Sequence, residues 1–312
     1  MSSTDTRPAG SGRAARRDGA GAGLDTLGAG LDALGAGLDA LEAGHAQRAS
    51  FSQVLRAKVL PPILGVVLVV GLWQLAYSLH LASPEKLSSP ADVWHALTLL
   101  WSDGTLFSVI WTSLWRGVTG FVAAVAIGTP IGLLVARVKP IRAAIGPVLT
   151  GLQSLPSVAW VPAAVIWLGI NNSAMYAVIL LGAAPSIANG LIAGVDQVPP
   201  LFLRAGRTLG ANGLRGARHV LLPAALPGYL AGLKQGWAFS WRSLMAAELI
   251  ASSPDLGIGL GRYLQNQREF SDMPGVLLGI ILIFVVGVAI DLLFFSPLER
   301  RVLRSRGLLA AR

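Results

Sequence analysis

Long apolar runs dominate this sequence, and their length decides what the chain can fold into. A helix rises ~1.5 Å per residue and the hydrocarbon core of a bilayer is ~30 Å thick, so a spanning helix needs about 20 mostly apolar residues. Six stretches meet that requirement, near Leu60–Leu79, Ser113–Ala136, Ala144–Leu168, Met175–Val195, Ala224–Ala251 and Pro274–Phe295. The pattern predicts an all-α, polytopic membrane protein of about six transmembrane helices. Charged residues make up only 13% of the chain, against roughly 25% in soluble domains. Pro147, Pro156 and Pro162 interrupt the third stretch, which is therefore expected to be kinked or broken, with neighbouring helices re-satisfying the freed carbonyls.

The net charge of +9 does not point to nucleic acid, because the basic residues gather in short segments between apolar runs. The tail through Lys58 holds seven Lys and Arg. Arg137, Lys139 and Arg142 mark the second-to-third connection, Arg204, Arg207, Arg215 and Arg218 the fourth-to-fifth, and Arg300, Arg301, Arg304, Arg306 and Arg312 the end. The opposite connections carry Lys86, Arg262 and Arg268. Cytoplasmic loops are enriched in Lys and Arg, so both termini are expected inside, which requires an even number of spans. The first 50 residues contain no apolar core long enough for a cleavable signal, so the tail is expected to stay on the protein. The expected organisation is a low-complexity cytoplasmic tail over 1–54, a transmembrane domain over 55–305 and a short cytoplasmic tail over 306–312.

Several chemistries are absent. There are no cysteines, and His45, His80, His95 and His219 show no metal-ligand spacing, so neither a metal nor another cofactor is expected. The sequence lacks a P-loop, a G-x-S-x-G elbow and an H-E-x-x-H helix, and the chain is expected to be no enzyme. Gly257, Gly259 and Gly261 form a GxGxG string outside any nucleotide-binding context and read as a turn. Small residues recur four apart at Gly128/Gly132, Gly190/Gly194, Gly228/Gly232/Gly236 and Gly275/Gly279, a spacing that lets membrane helices approach closely. Residues 21–41 repeat every seven (GAGLDTL, GAGLDAL, GAGLDAL). This is heptad spacing weakened by two glycines per repeat, and it reads as either a disordered tail or a partner-binding helix. Residues 91–101 (ADVWHALTLLW) are amphipathic and too short to cross, and are expected as an interfacial helix on the outer side.

The most informative stretch is Asp196–Pro223, DQVPPLFLRAGRTLGANGLRGARHVLLP. Pro199 and Pro200 suit a helix start, Gly210 interrupts the helical run, and Pro223 marks the end. The residues alone read as a helix–Gly–helix element on the cytoplasmic face, or as an ordinary basic loop. The stretch resembles the coupling loop of ABC importer permeases, E-A-A-x-x-x-G-x9-I-x-L-P. Ala205, Gly210, Leu222 and Pro223 match in register, and Val220 stands for Ile. Arg204 replaces the acidic residue and Gly206 the second Ala. SLWRGVTGF (Ser113–Phe121), SLPSVAWVPAAVIWLGI (Ser154–Ile170), LLPAALPGYLAGLKQGWAFSW (Leu221–Trp241) and AAELI (Ala246–Ile250) are similar to permeases for nitrate, taurine and alkanesulfonates. The resemblance covers roughly residues 55–305.

That resemblance implies the MetI-like fold of type I ABC importer permeases, in a bacterial inner membrane. It implies a homodimer with the pathway between copies, two ATPase subunits that hydrolyse ATP beneath it, and an extracytoplasmic binding protein that delivers cargo. The ATPase contact would fall on Arg204, Ala205, Gly206, Leu209, Gly210, Ala211, Leu222 and Pro223. The cargo is expected to be a small oxyanion, with aliphatic sulfonate the leading choice and nitrate, taurine, bicarbonate or a thiamine precursor the alternatives. An ion-coupled secondary transporter is the competing class, although no repeat relates the two halves.

Ionisable residues inside spans are costly and mark functional candidates. Arg242 is the first candidate for lining an anion path, because a guanidinium matches a sulfonate or nitrate bidentately. Its alternative role is structural, paired with Glu248 or a backbone carbonyl. Arg116 and Lys234 either line the path or snorkel to an interface. Glu248 is expected to have a structural partner. Asp291, in the sixth span, has no assigned role.

Overall fold

The computed structural model describes residues 60–83, 85–251 and 256–306, apart from the side chain of Leu214. The heptad repeat and the rest of the N-terminal tail lie outside the described residues. By contacts the chain divides into residues 67–310 and a second unit of 1–66 with 311–312. Of the second unit only Leu60–Val66 is described, and it is helical.

The described residues are almost wholly helical. The helices are α1 (Leu60–Ser78), α2 (Pro90–Ser102), α3 (Thr105–Arg137), α4 (Lys139–Ser154), α5 (Val161–Leu168), α6 (Asn172–Asp196), α7 (Pro200–Thr208), α8 (Gly213–Gly216), α9 (Leu222–Ile250), α10 (Leu260–Glu269), α11 (Met273–Ile290) and α12 (Ser296–Ser305). A 3-10 turn, Ser157–Trp160, joins α4 to α5, and π turns at Ala217–Leu221 and Asp291–Phe295 lead into α9 and α12.

Among the described residues, α1, α3, α6 and the continuous run Met273–Ser305 are long and apolar enough to cross a bilayer. The third expected span is not one helix. Lys139–Ser154 and Ser157–Leu168 meet at a 98° bend, and Leu155 and Pro156 adopt extended backbone at the elbow. Counting that pair as one span gives five. The remaining expected span is α9, whose 29 residues reach ~43 Å. Its composition is too polar for it to qualify, because it packs largely inside the unit and buries residues from Ala225 to Glu248.

The core is built around α6, which buries Met175, Val178, Ile179, Ile187 and Leu191 among others. Helices α3 and α9 pack against it through the small-residue repeats. A Cβ on Gly128 would sit 2.8 Å from Ala184 O, and one on Gly132 2.8 Å from Ala188 Cα. On the other side, a Cβ on Gly232 would lie 2.6 Å from Gly190 Cα, and one on Gly228 2.5 Å from Gly194 Cα. Backbone meets backbone at these crossings. This is the packing that small-xxx-small spacing permits where lipid supplies no hydrophobic drive between helices.

The amphipathic stretch expected between the first two spans is helix α2. It opens on a capping box: Asp92 N donates to Ser89 Oγ (3.1 Å), and Ser89 N and Oγ donate to Asp92 Oδ2 (2.9 and 2.7 Å). The Ser89 hydroxyl, and then its amide, hold the Asp92 carboxyl below the ordinary carboxylate range. Trp73 Nε1 donates to Ser88 O at 3.0 Å and ties the entry of α2 to α1.

Candidate functional site

Two constellations stand out, one at the Arg137 end of the long helices and one near the opposite end. The first is the stretch 196–223. Pro200 starts α7, which ends at Thr208, and Gly210 follows with φ +81°. Gly210 N donates to Arg207 O (3.1 Å) and Ala211 N to Gly206 O (2.8 Å). These are the two bonds of a Schellman cap with glycine at its left-handed position. The expected helix–Gly–helix element is therefore present, and the glycine is required there because a side chain in that backbone conformation is strained.

The cap projects Leu209 outward with 87% of its surface exposed, and Leu201 and Phe202 at the other end of α7 are exposed as well. Arg204, Ala205 and Arg207 are also exposed. Gly206 is buried, and a Cβ there would come within 2.9 Å of Val220 Cγ2. Two of the three positions at which the loop departs from the family pattern, Gly206 and Val220, thus face each other. Ala211 returns the chain through α8 and the π turn to Leu222 and Pro223, which begin α9.

This element is tied to the long helices at two points. Arg142 Nη1 and Nη2 donate to the two oxygens of Asp196 at 2.7 and 2.5 Å, joining the start of α4 to the end of α6. Arg137 Nη2, at the end of α3, donates to Gly213 O at 3.4 Å.

The second constellation is a buried polar network. Glu248 (1% exposed) pairs with Arg116 (5% exposed), with Arg116 Nη1 donating to Oε1 at 3.0 Å. Glu248 Oε2 accepts from Ser113 Oγ (2.7 Å) and from Gly261 N (3.0 Å). Ser113 Oγ in turn accepts from Leu260 N at 2.7 Å. Arg116 also donates to Asn172 Oδ1 (3.0 Å) and to Leu256 O. One carboxylate and one guanidinium thus join α3, the start of α6, α9, and the segment that opens α10. Arg116 does not snorkel, because every donor group it carries has a partner in the interior.

The network also explains the GxGxG string. A Cβ on Gly259 would lie 2.5 Å from Glu248 Oε2, and one on Gly261 2.7 Å from Glu248 Cβ. The chain turns there, as expected, but Gly259 and Gly261 are needed because the carboxylate occupies the space beside their backbone. From the sequence alone, Ser113 and Asn172 have no assigned role, and Gly259 and Gly261 read only as a turn. The available signal was a buried Glu on a spanning helix followed closely by a glycine string.

The other intramembrane charges separate from this network. Lys234 Nζ lies 3.1 Å from Asp291 Oδ1 and 3.8 Å from Glu299 Oε2, with all three side chains about half exposed. Asp291, which had no assigned role, is thus a partner of Lys234 at the π turn. Arg242 does not pair with Glu248. It lies on the outside of α9, where Nε donates to Ala238 O at 3.1 Å and the guanidinium carbon sits 4.6 Å over the Phe239 ring. Among the described residues no group of three or more His, Asp or Glu is placed to hold a metal.

Residues 128–303 match the family described as binding-protein-dependent transport system inner membrane component. The chain is 31% identical over 263 residues to the taurine transport system permease protein TauC of Escherichia coli, covering 83% of this chain and 94% of that one. It is 29% identical to the putative aliphatic sulfonates transport permease protein SsuC of Bacillus subtilis, covering 76% and 84%. Among solved structures, an inward-facing MetNI methionine ABC transporter chain superimposes with a TM-score of 0.55 at 21% identity, over 63% of this chain and 95% of that one. The fold, the capped loop and these similarities converge: the chain belongs to the binding-protein-dependent transport system inner membrane component family, the membrane-spanning permeases of ABC importers.

Proposed function

We propose that this chain is the translocating subunit of an importer for a small oxyanion, with aliphatic sulfonate the leading cargo. Two copies form the pathway, two ATPase subunits drive it from the cytoplasm, and a binding protein outside delivers the substrate. The observation that carries this reading is the capped turn at Leu209–Gly210. An exposed leucine at the tip of a rigid, basic, helix-flanked element is a shape for seating in a groove of another protein. The residues assigned to that contact are Arg204, Ala205, Gly206, Leu209, Gly210, Ala211, Leu222 and Pro223. The ties from Arg137 to Gly213 and from Arg142 to Asp196 give movement of the turn a direct route into α3, α4 and α6. Closure of the ATPases would move the turn and rock the helices between inward- and outward-open arrangements.

Sulfonate is preferred because two of the relatives are named for taurine, itself an aminoalkyl sulfonate, and for aliphatic sulfonates. Arg242 is assigned to the path, since its guanidinium is exposed and has no carboxylate partner among the described residues. Arg116 and Glu248 are assigned to holding the frame, and Lys234 to an ion pair with Asp291. Both termini are assigned to the cytoplasm, on the side of the basic connections. The test is uptake of labelled taurine, ethanesulfonate, nitrate and bicarbonate by the host with the gene deleted and then restored. Loss and recovery of sulfonate uptake alone supports the proposal. Loss of nitrate or bicarbonate uptake instead reassigns the cargo within the oxyanion class, and no change in any of the four contradicts the oxyanion reading.

A further inference from the structure

We propose that Arg242, steadied by Phe239 and set beside the elbow of the broken span, is a coordination point for the oxyanion head of the cargo within the membrane. This inference rests on the importer reading and adds to it a site and a geometry. Two independent observations meet at the same place. The first is the state of the guanidinium. Arg242 lies roughly 30 Å along α9 from Leu222, within the span. One N–H is used by Ala238 O, and among the described residues the fork formed by Nη1 and Nη2 has no carboxylate or carbonyl partner. Glu248, six residues on, is fully engaged by Arg116, Ser113 and Gly261. An unneutralised guanidinium is costly against lipid and belongs on a face that meets water.

The exposed side of α9 supports this placement, because Ala231, Gln235, Ala238 and Arg242 form one stripe at helical spacing. Small and polar side chains replace the Ile, Phe and Val that cover the exposed face of α11. The Phe239 ring fixes the guanidinium by a cation–π contact, which leaves the fork presented outward. Two parallel N–H groups match two oxygens of a sulfonate, nitrate or bicarbonate.

The second observation is the elbow. Extended backbone at Leu155–Pro156, bent through 98°, is tolerated at membrane depth only against protein or a water-filled cavity. Leu155 and Pro156 are exposed. The elbow is docked on α9 at Ser243, the residue that follows Arg242: the space beside Gly182 is filled by Ser157 from the elbow and Ser243 from α9. A bare guanidinium and a non-helical backbone, each needing water, thus share one neighbourhood. An anion entering there would neutralise Arg242 for as long as it stays and release it on leaving.

The chain has no cysteine, so a single introduced thiol reports without background. Ala238→Cys places a thiol one turn from Arg242, and Phe284→Cys places one on the apolar face of α11. Each is treated in native membranes with an anionic sulfonatoethyl and a cationic trimethylammonioethyl methanethiosulfonate. Rates are normalised to those of a free thiol. The expected result is rapid labelling at 238, negligible labelling at 284, and a preference at 238 for the anionic reagent. A unit charge about 8 Å away in a part-solvated site changes such a rate about fivefold, so Arg242→Gln should lower the anionic rate by that factor. Arg242→Lys, which keeps the charge, should preserve the preference and covers the case in which the Gln variant fails to fold. A thiol at 238 as inert as one at 284 overturns the site, as does a charge preference unchanged in Arg242→Gln or lost in Arg242→Lys. None of these results requires the ATPase, so failure here leaves the importer reading to stand or fall on its own test.

Discussion

Removing the Glu248 carboxylate is the sharpest perturbation of the frame. In Glu248→Ala the Arg116 guanidinium stays buried without its counter-charge, and breaking a buried pair from one side costs about 3–5 kcal/mol. Ser113 Oγ and Gly261 N lose their acceptor in the same step, and each buried donor left unpaired adds ~1–3 kcal/mol. At the 2–4 °C per kcal/mol of a domain this size, the apparent melting temperature should fall by roughly 10 °C or more. Arg116→Ala should cost a comparable amount. The double variant should be less destabilised than the two single losses added together, because neither charge is then stranded. The assay is the thermal loss of the monodisperse chromatographic peak in mild detergent for the parent, both single variants and the double. A Glu248→Ala variant within ~1 kcal/mol of the parent, or strictly additive losses, would refute the argument that this network holds α3, α6, α9 and α10 together.

Three other outcomes follow from the geometry. Gly232→Leu forces a side chain into the backbone of Gly190, and overpacking of this kind costs at least ~1–3 kcal/mol, so folded yield should drop sharply while Gly146→Leu, at a glycine with open space, should be tolerated. Gly210→Pro, which cannot adopt the positive φ, should abolish transport with membrane insertion intact, and normal uptake by it would remove the coupling assignment. The Asp92 carboxyl is held low by Ser89, so its capping contribution is complete above the ordinary carboxylate range, near pH ~4, and is lost only as pH falls through the lowered value. Helix α2 should therefore show unchanged amide-exchange protection from pH 7 to 5 and fray only below pH ~4, and fraying already at pH 6 would contradict the capping box.

The sequence disclosed the parts of this fold that are local. Span positions follow from windows of about 20 residues, and the glycine repeats named the faces that later met at Gly190–Gly232 and Gly128–Ala184. The helix–Gly–helix turn was legible because its glycine and proline act within a few residues. What the sequence withheld depends on pairing across distance. Arg116 and Glu248 are 132 residues apart, and a residue-by-residue reading treats each as an isolated charge, so Arg242 was weighed as the partner of Glu248. The same limit concealed Asp291 as the partner of Lys234 and Glu248 as the reason for Gly259 and Gly261. Three prolines announced a break in the third span without its angle, because the bend is set by where Ser157 docks against Gly182 and Ser243. Helix α9 shows the converse: its hydropathy is too low for a lipid-facing helix, yet its glycines and length fit it for the interior.

The most direct test of the account is to purify the tagged chain from its host in mild detergent and identify what accompanies it, beside a Gly210→Pro variant. The account predicts a stoichiometric P-loop ATPase with the parent chain and its loss from the variant. A parent chain that purifies without any ATPase across several mild detergents would contradict the coupling role of the Leu209–Gly210 turn and return the ion-coupled class of transporter to the lead.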